Sequence, residues 1–142
     1  MSKIAVVYWS GTGNTEAMAN AVVDGVKAAG AEVELFQVDD FNAEDMANYG
    51  GFAFGCPAMG DEVLEEDSFE PFFADAEKKI DGVPVLLFGS YGWGGGTWME
   101  NWAERAKDAG AKLVGTVIAE NAPDDDAISN CEKLGSSLAK EI

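Results

Sequence analysis

The chain has 142 residues, enough for one domain with its own core, expected to span 1–142. Its 26 acidic against 9 basic side chains, with no histidine, give a formal charge of −17. This balance excludes nucleic acid and anionic membranes as partners, because phosphate contacts need Lys and Arg. The same charge serves plain solubility. It also favours basic or positively patched protein partners, steered together in a salt-sensitive way, and a monomer at low salt. Without histidine the commonest general base and metal ligand is missing. No nucleophile–base arrangement or metal-ligand spacing replaces it, so neither a catalytic residue nor a metal is expected. Cys56 and Cys131 do not make a disulfide framework, and the N-terminus lacks a basic and apolar leader. A reducing cytoplasm is the resulting expectation. No apolar run approaches the ~20 residues of a membrane span.

Taken in chain order, Ile4-Ala5-Val6-Val7-Tyr8-Trp9 predicts a buried strand over about 3–8. A helix follows from near Glu16, with an apolar stripe of Ala19, Val22, Val23 and Val26 closed by Gly30. The second strand covers 32–36, and the stretch 39–49 carries the weakest pattern. Residues 51–55 predict a third strand, and 66–79 a short helix. The acidic pairs Asp39-Asp40 and Glu65-Glu66 read as solvated loop residues. The run 83–89 is the clearest strand, with Pro84 at its entrance, where a missing N–H is tolerated. Trp98, Trp102, Ala106 and Ala109 form the next helical stripe, opened by a Thr97-x-x-Glu100 capping box and closed by Gly110. The last strand spans 112–118 and runs to about Ala119 without a long interruption. Ile128, Cys131, Leu134 and Leu138 complete a final helix, begun by Pro123 and Asp124-Asp125-Asp126.

Strands alternating with helices imply an α/β protein: a three-layer, doubly wound, five-stranded parallel sheet in the order 2-1-3-4-5. Ligands of such sheets bind at the carboxyl ends of the strands, where the order reverses between strands 1 and 3. Three unusual segments fall at that rim. Ser10-Gly11-Thr12-Gly13-Asn14-Thr15 joins strand 1 to the first helix. Its backbone N–H groups, the helix dipole and four donor side chains suit a phosphate. No Lys follows, as a nucleotide triphosphate loop requires, and Glu16 stands where a dinucleotide loop needs its third Gly. Neutral donors alone suit one terminal phosphomonoester. An ordinary polar turn carries similar residues, but the density of donors favours the phosphate. Met59, after strand 3, is polarisable and can face an aromatic ring, although a lone Met is more often core. Gly89-Ser90-Tyr91-Gly92-Trp93-Gly94-Gly95-Gly96 needs something to order around. A planar ligand would provide it; two aromatics capping the core edge would read the same way.

Ser10–Glu16 after an apolar strand, Cys56-Pro57-Ala58-Met59-Gly60-Asp61-Glu62, and Gly89–Gly94 together resemble the flavodoxins, the small FMN-carrying electron-transfer proteins. The likeness covers essentially the whole chain and is greatest to the short-chain type of anaerobic bacteria. It implies FMN as cofactor and a flavodoxin-like fold. It places Ser10, Gly11, Thr12, Gly13, Asn14 and Thr15 on the phosphate. It places Pro57, Ala58, Met59, Gly60, Asp61 and Glu62 on one side of the flavin ring, and Ser90, Tyr91, Gly92, Trp93, Gly94 and Gly95 on the other. The Gly60 carbonyl would accept a hydrogen bond from flavin N5 after one-electron reduction. The Glu62 carboxylate would approach flavin N3–H. Some relatives carry a polar residue where Gly95 stands. Cys56 reads as a structural thiol beside the site and Cys131 as a buried stripe residue. The resemblance implies a low-potential carrier of single electrons between reductases and low-potential acceptors. An FMN-dependent quinone or nitro reductase would need room for a hydride donor, and no insertion builds it. A signalling receiver needs acids after strands 1 and 3 and a Lys after strand 5. Trp9-Ser10, Cys56-Pro57 and Glu120-Asn121 stand there instead.

Overall fold

A computed structural model describes residues 3–59, 62–92 and 94–142. Five parallel strands form one sheet in the order β2-β1-β3-β4-β5. They are β1 (Lys3–Tyr8), β2 (Glu32–Gln37), β3 (Gly51–Gly55), β4 (Pro84–Tyr91) and β5 (Lys112–Glu120). The central strands β3 and β4 are buried along nearly their whole length. This is the reason their sequences are continuously apolar and not alternating. The edge strand β2 is largely exposed, with only Val33 and Phe36 half-buried. Pro84 opens β4 as expected.

Four helices cover the two faces: α1 (Asn14–Ala28), α2 (Phe69–Ala76), α3 (Thr97–Asp108) and α4 (Asp125–Lys140). Successive residues of each strand point to opposite sides, and the core divides accordingly. Ala5, Val7, Phe52, Phe54, Val85 and Leu87 pack with Phe69, Phe72 and Phe73 of α2 and Trp98 and Trp102 of α3. Ile4, Val6, Tyr8, Ala53, Leu86 and Phe88 pack with Met18, Ala19 and Val22 of α1 and Cys131 and Leu138 of α4. Helices α1 and α4 meet backbone to backbone, because a Cβ at Gly25 would strike the Glu132 carbonyl and one at Gly135 the Val22 carbonyl. This contact fixes the axis of α1, and with it the position of its N-terminus.

Several local expectations change. Helix α1 begins at Asn14, two positions before Glu16. The stretch 39–49 forms two 3-10 turns, Val38–Asp40 and Ala43–Asn48. Asn42 caps the second turn by accepting from Glu44 N–H at 3.0 Å. Its buried Val38, Phe41 and Met46 join the core beside α2, so a short layer of 3-10 turns does the work of a crossover helix. Within 66–79 the α-helix starts only at Phe69 and passes into a 3-10 turn at Glu77–Lys79. The cause is Glu65, expected to be a solvated loop acid and found buried. Its carboxylate accepts the N–H groups of Asp67, Ser68 and Phe69 at 2.9, 2.8 and 2.9 Å. Ser68 and Phe69 carry donors that the helix start leaves orphaned, and its dipole favours a carboxylate there. The Thr97–Glu100 capping box does not form either. Gly96 is the N-cap residue of α3, and Thr97 is already helical.

Candidate functional site

Four connections leave the carboxyl ends of β1, β3, β4 and β5 and meet over the point where the strand order reverses. They enclose a cleft of about 260 Å³. Gly11, Thr12 and Asn14 line it from the first connection. Pro57, Ala58 and Met59 line it from the second, and Ser90, Tyr91 and Gly92 from the third. A shallow groove of about 510 Å³ beside Arg105 and Glu77 is larger. It takes no residue from a strand end and gathers no comparable donors, so volume alone does not identify the site.

The loop after β1 is built largely from its own residues. The Ser10 hydroxyl accepts the N–H groups of Gly13 and Glu16 at 3.0 and 3.3 Å. Gly13 is the N-cap residue of α1 at φ 96°, a conformation that favours glycine, and having no side chain it leaves the capping to Ser10. Thr15 is buried and its hydroxyl pairs with that of Ser90 at 3.2 Å, also taking the Ser90 N–H at 3.4 Å. This pair locks the first connection to the third. Glu16, in the first turn of α1, accepts from the Tyr8 hydroxyl at 2.9 Å. Burial and that carboxylate raise the Tyr8 pKa, so the phenol keeps its proton.

The second and third connections depend on distant partners. Met59 and Val63 form a two-way antiparallel bridge of 2.8 and 3.0 Å. Ala58 N–H donates to the Ser90 carbonyl at 3.0 Å. Glu62, with φ 59°, turns its carboxylate to the N–H of Thr97 at 3.1 Å, so it caps α3 from another segment. Glu62 also lies against Gly94, where a Cβ would approach its Oε1 to 2.5 Å. Gly95 lines a separate groove between α3 and β5, with Met99 and Ile118. Thus nine of the expected residues line the cleft. Ser10, Gly13 and Thr15 brace its phosphate-loop side, and Glu62 and Gly94 join two of its walls. Gly60, Asp61 and Trp93 lie outside the described residues.

The structure adds two residues to those expected. Trp9 lines the cleft, with its ring over Gly11, where a Cβ would come to 3.0 Å of Cη2. Its place at the last position of the first apolar run was the available signal. Asn121, just past β5 at φ 58°, also lines the cleft, and its N–H donates to the Tyr91 carbonyl at 2.7 Å. The Asn121-Ala122-Pro123 break at a strand carboxyl end pointed there.

Neutral hydroxyls and the positive end of the α1 dipole suit a phosphomonoester. Trp9, Met59 and Tyr91 offer apolar walls for a planar ring. The donor set and the cleft therefore fit a mononucleotide-like ligand with one phosphate and one flat ring system. The fold and rim define a doubly wound α/β protein that holds such a ligand at its switch point.

The flavodoxin family model matches residues 6–135. The flavodoxin of Megasphaera elsdenii is 50% identical over 137 residues, covering 96% of this chain and 98% of that protein. The flavodoxin of Clostridium beijerinckii is 46% identical over 135 residues, covering 94% and 97%. The solution structure of two-electron reduced Megasphaera elsdenii flavodoxin matches with a TM-score of 0.90 at 51% identity, over 96% of this chain and 98% of that one. The chain belongs to the flavodoxin family, FMN-binding electron carriers and not enzymes, and is of the short-chain type found in anaerobes. Its partners are redox proteins. No helix among the described residues is long and apolar enough to cross a membrane.

Proposed function

We propose that this chain shuttles single electrons at low potential between reductases and acceptors with basic surfaces, as one FMN-carrying unit of residues 1–142. The convergence of donors and apolar walls on one switch-point cleft carries this reading. Bound FMN supplies an isoalloxazine that can take up two electrons. Thr12, Asn14 and Thr15 hold its phosphate with backbone N–H groups of the same loop, and Ser10 shapes that loop. Met59 and Tyr91, with Trp9 and Trp93, exclude water from the ring. On the family resemblance, the Gly60 carbonyl would accept a hydrogen bond from a protonated N5, and the Glu62 carboxylate would accept one from N3–H. The charge of −17 would oppose the single negative charge that a second electron leaves on an N5-protonated ring, and so would lower the potential of the second step. It also keeps the carrier monomeric at low salt and steers basic partners to small, salt-sensitive contacts at the rim. Both cysteines are buried free thiols, which supports a reducing cytoplasm.

Stepwise anaerobic reduction of the FMN-loaded protein, followed by its visible spectrum, tests the reading. Two resolved one-electron stages are expected. A single two-electron bleach, with steady nicotinamide oxidation by the protein alone, would make it a reductase. Gly60→Val should shrink the one-electron stage, because a β-branched residue restricts the backbone freedom that glycine supplies. An unchanged stage removes Gly60 from the mechanism.

A further inference from the structure

The loop at residues 57–64 carries Met59 and Glu62, and it is closed at its base by a side chain with no assigned role. Cys56 follows β3 directly and is fully buried. Its backbone is tied on both sides: Cys56 N–H donates to the Phe88 carbonyl at 3.1 Å, and the Trp98 indole donates to the Cys56 carbonyl at 3.2 Å. The thiol itself reaches both stems of the loop. Sγ accepts the Glu65 N–H at 3.3 Å and donates to the Pro57 carbonyl at 3.5 Å. The exit stem is held in turn, because the Glu65 carboxylate caps α2 and its carbonyl accepts Glu70 N–H at 2.8 Å. Above this base, the Met59–Val63 bridge closes a second rung.

We propose that Cys56 is a positioning residue for the FMN site: its thiol joins the entrance and exit of the 57–64 loop and so fixes where Met59 and Glu62 stand. The two rungs make a frame. The proposal rests on the carrier reading above, in which this loop meets the flavin. A thiol suits the place. Its long C–S bond spans two stems, and it both donates and accepts, though weakly. Burial raises its pKa, so the proton that bonds Pro57 stays in place and the sulfur is not a reactive thiolate.

The test compares Cys56→Ala, which removes both bonds, with Cys56→Ser, which keeps a donor and an acceptor. All measurements use the FMN-loaded protein. In Cys56→Ala, amide exchange at Val63 and Glu65 should rise about fivefold, the loss of roughly one hydrogen bond. FMN should dissociate about fivefold faster, and the gap between the two one-electron midpoint potentials should narrow. Cys56→Ser should restore all three toward wild type. If Cys56→Ala does not fold, Cys56→Val fills the space without either bond and takes its place. Wild-type exchange at Val63 and Glu65 overturns the clasp. Faster exchange with unchanged FMN dissociation and unchanged potentials makes Cys56 structural only and overturns the positioning role. A wild-type protein that accepts both electrons in one step overturns the carrier reading; exchange and dissociation still decide the clasp.

Discussion

The phosphate loop and the walls facing the ring reach one cleft by opposite means. The phosphate loop is made by neighbours: Ser10 bonds Gly13 and Glu16, three and six residues away. The walls are made by strangers to each other in sequence. Glu62 bonds Thr97 across 35 residues, and Cys56 bonds Trp98 across 42. The local loop can take its shape as soon as α1 forms. The walls take theirs only when β3, β4 and α3 are in place. Variants of the first should therefore act on the grip on the ligand's phosphate. Variants of the second should act on the fold and on the potential.

The largest effect is expected where the walls join the sheet. A Cβ at Gly89 would strike the Cys56 carbonyl oxygen and crowd the Trp98 indole at 3.1 Å. Neither backbone can yield without parting β3 from β4. Gly89→Ala should cost about 3 kcal/mol, the upper range for overpacking. A urea midpoint that falls with an unchanged slope would show it. A wild-type midpoint would mean that the walls are more pliant than the packing implies.

The same contrast explains what was legible in the sequence. Continuous apolar runs such as 83–89 announce strands buried on both faces, and their alternation with helical stripes restricts the topology to few solutions. The loop after β1 stood out as a candidate for phosphate because its donors are contiguous. Thr97-x-x-Glu100 satisfies a local capping rule, yet the rule failed, since Glu62 arrives from another segment and takes the Thr97 N–H. Glu65 looked like one acid among many. Its burial follows from the orphan N–H groups of Ser68 and Phe69, at a helix start the sequence did not mark, together with that of Asp67 just before it. Trp9 and Asn121 were missed because membership of the cleft depends on where two different strand ends come to lie.

A middle-sized effect should come from the residue that links the two regions. Thr15→Val keeps the shape but deletes the hydroxyl that meets Ser90 Oγ and N–H. About 1 kcal/mol of stability should go with it. FMN affinity should fall about tenfold, the scale of one hydrogen bond to a charged group. Riboflavin, which lacks the phosphate, provides the internal control. Its affinity should barely change, and the potentials of the loaded protein should hold. An equal loss for both ligands would place the effect on the walls and blur the division between the regions.

The smallest effect on stability, and the sharpest test of the comparison, concerns Glu62. Its carboxylate accepts the Thr97 N–H at the N-terminus of α3, where the helix dipole favours a negative charge. Glu62→Gln keeps an oxygen that can accept the same bond and removes the charge. Stability should drop by only about 0.5 kcal/mol, the ordinary size of a charge–dipole term. The potential responds to a different quantity. Under the proposed function this carboxylate would stand beside the ring and oppose added negative charge, so its neutralisation should raise the potential of the second electron while FMN stays bound. Potentiometry on the FMN-loaded variant separates the two roles, because capping depends on the accepting oxygen and the potential on the charge. A raised potential with near wild-type stability gives Glu62 both tasks. An unmoved potential confines it to holding α3 against the 57–64 loop.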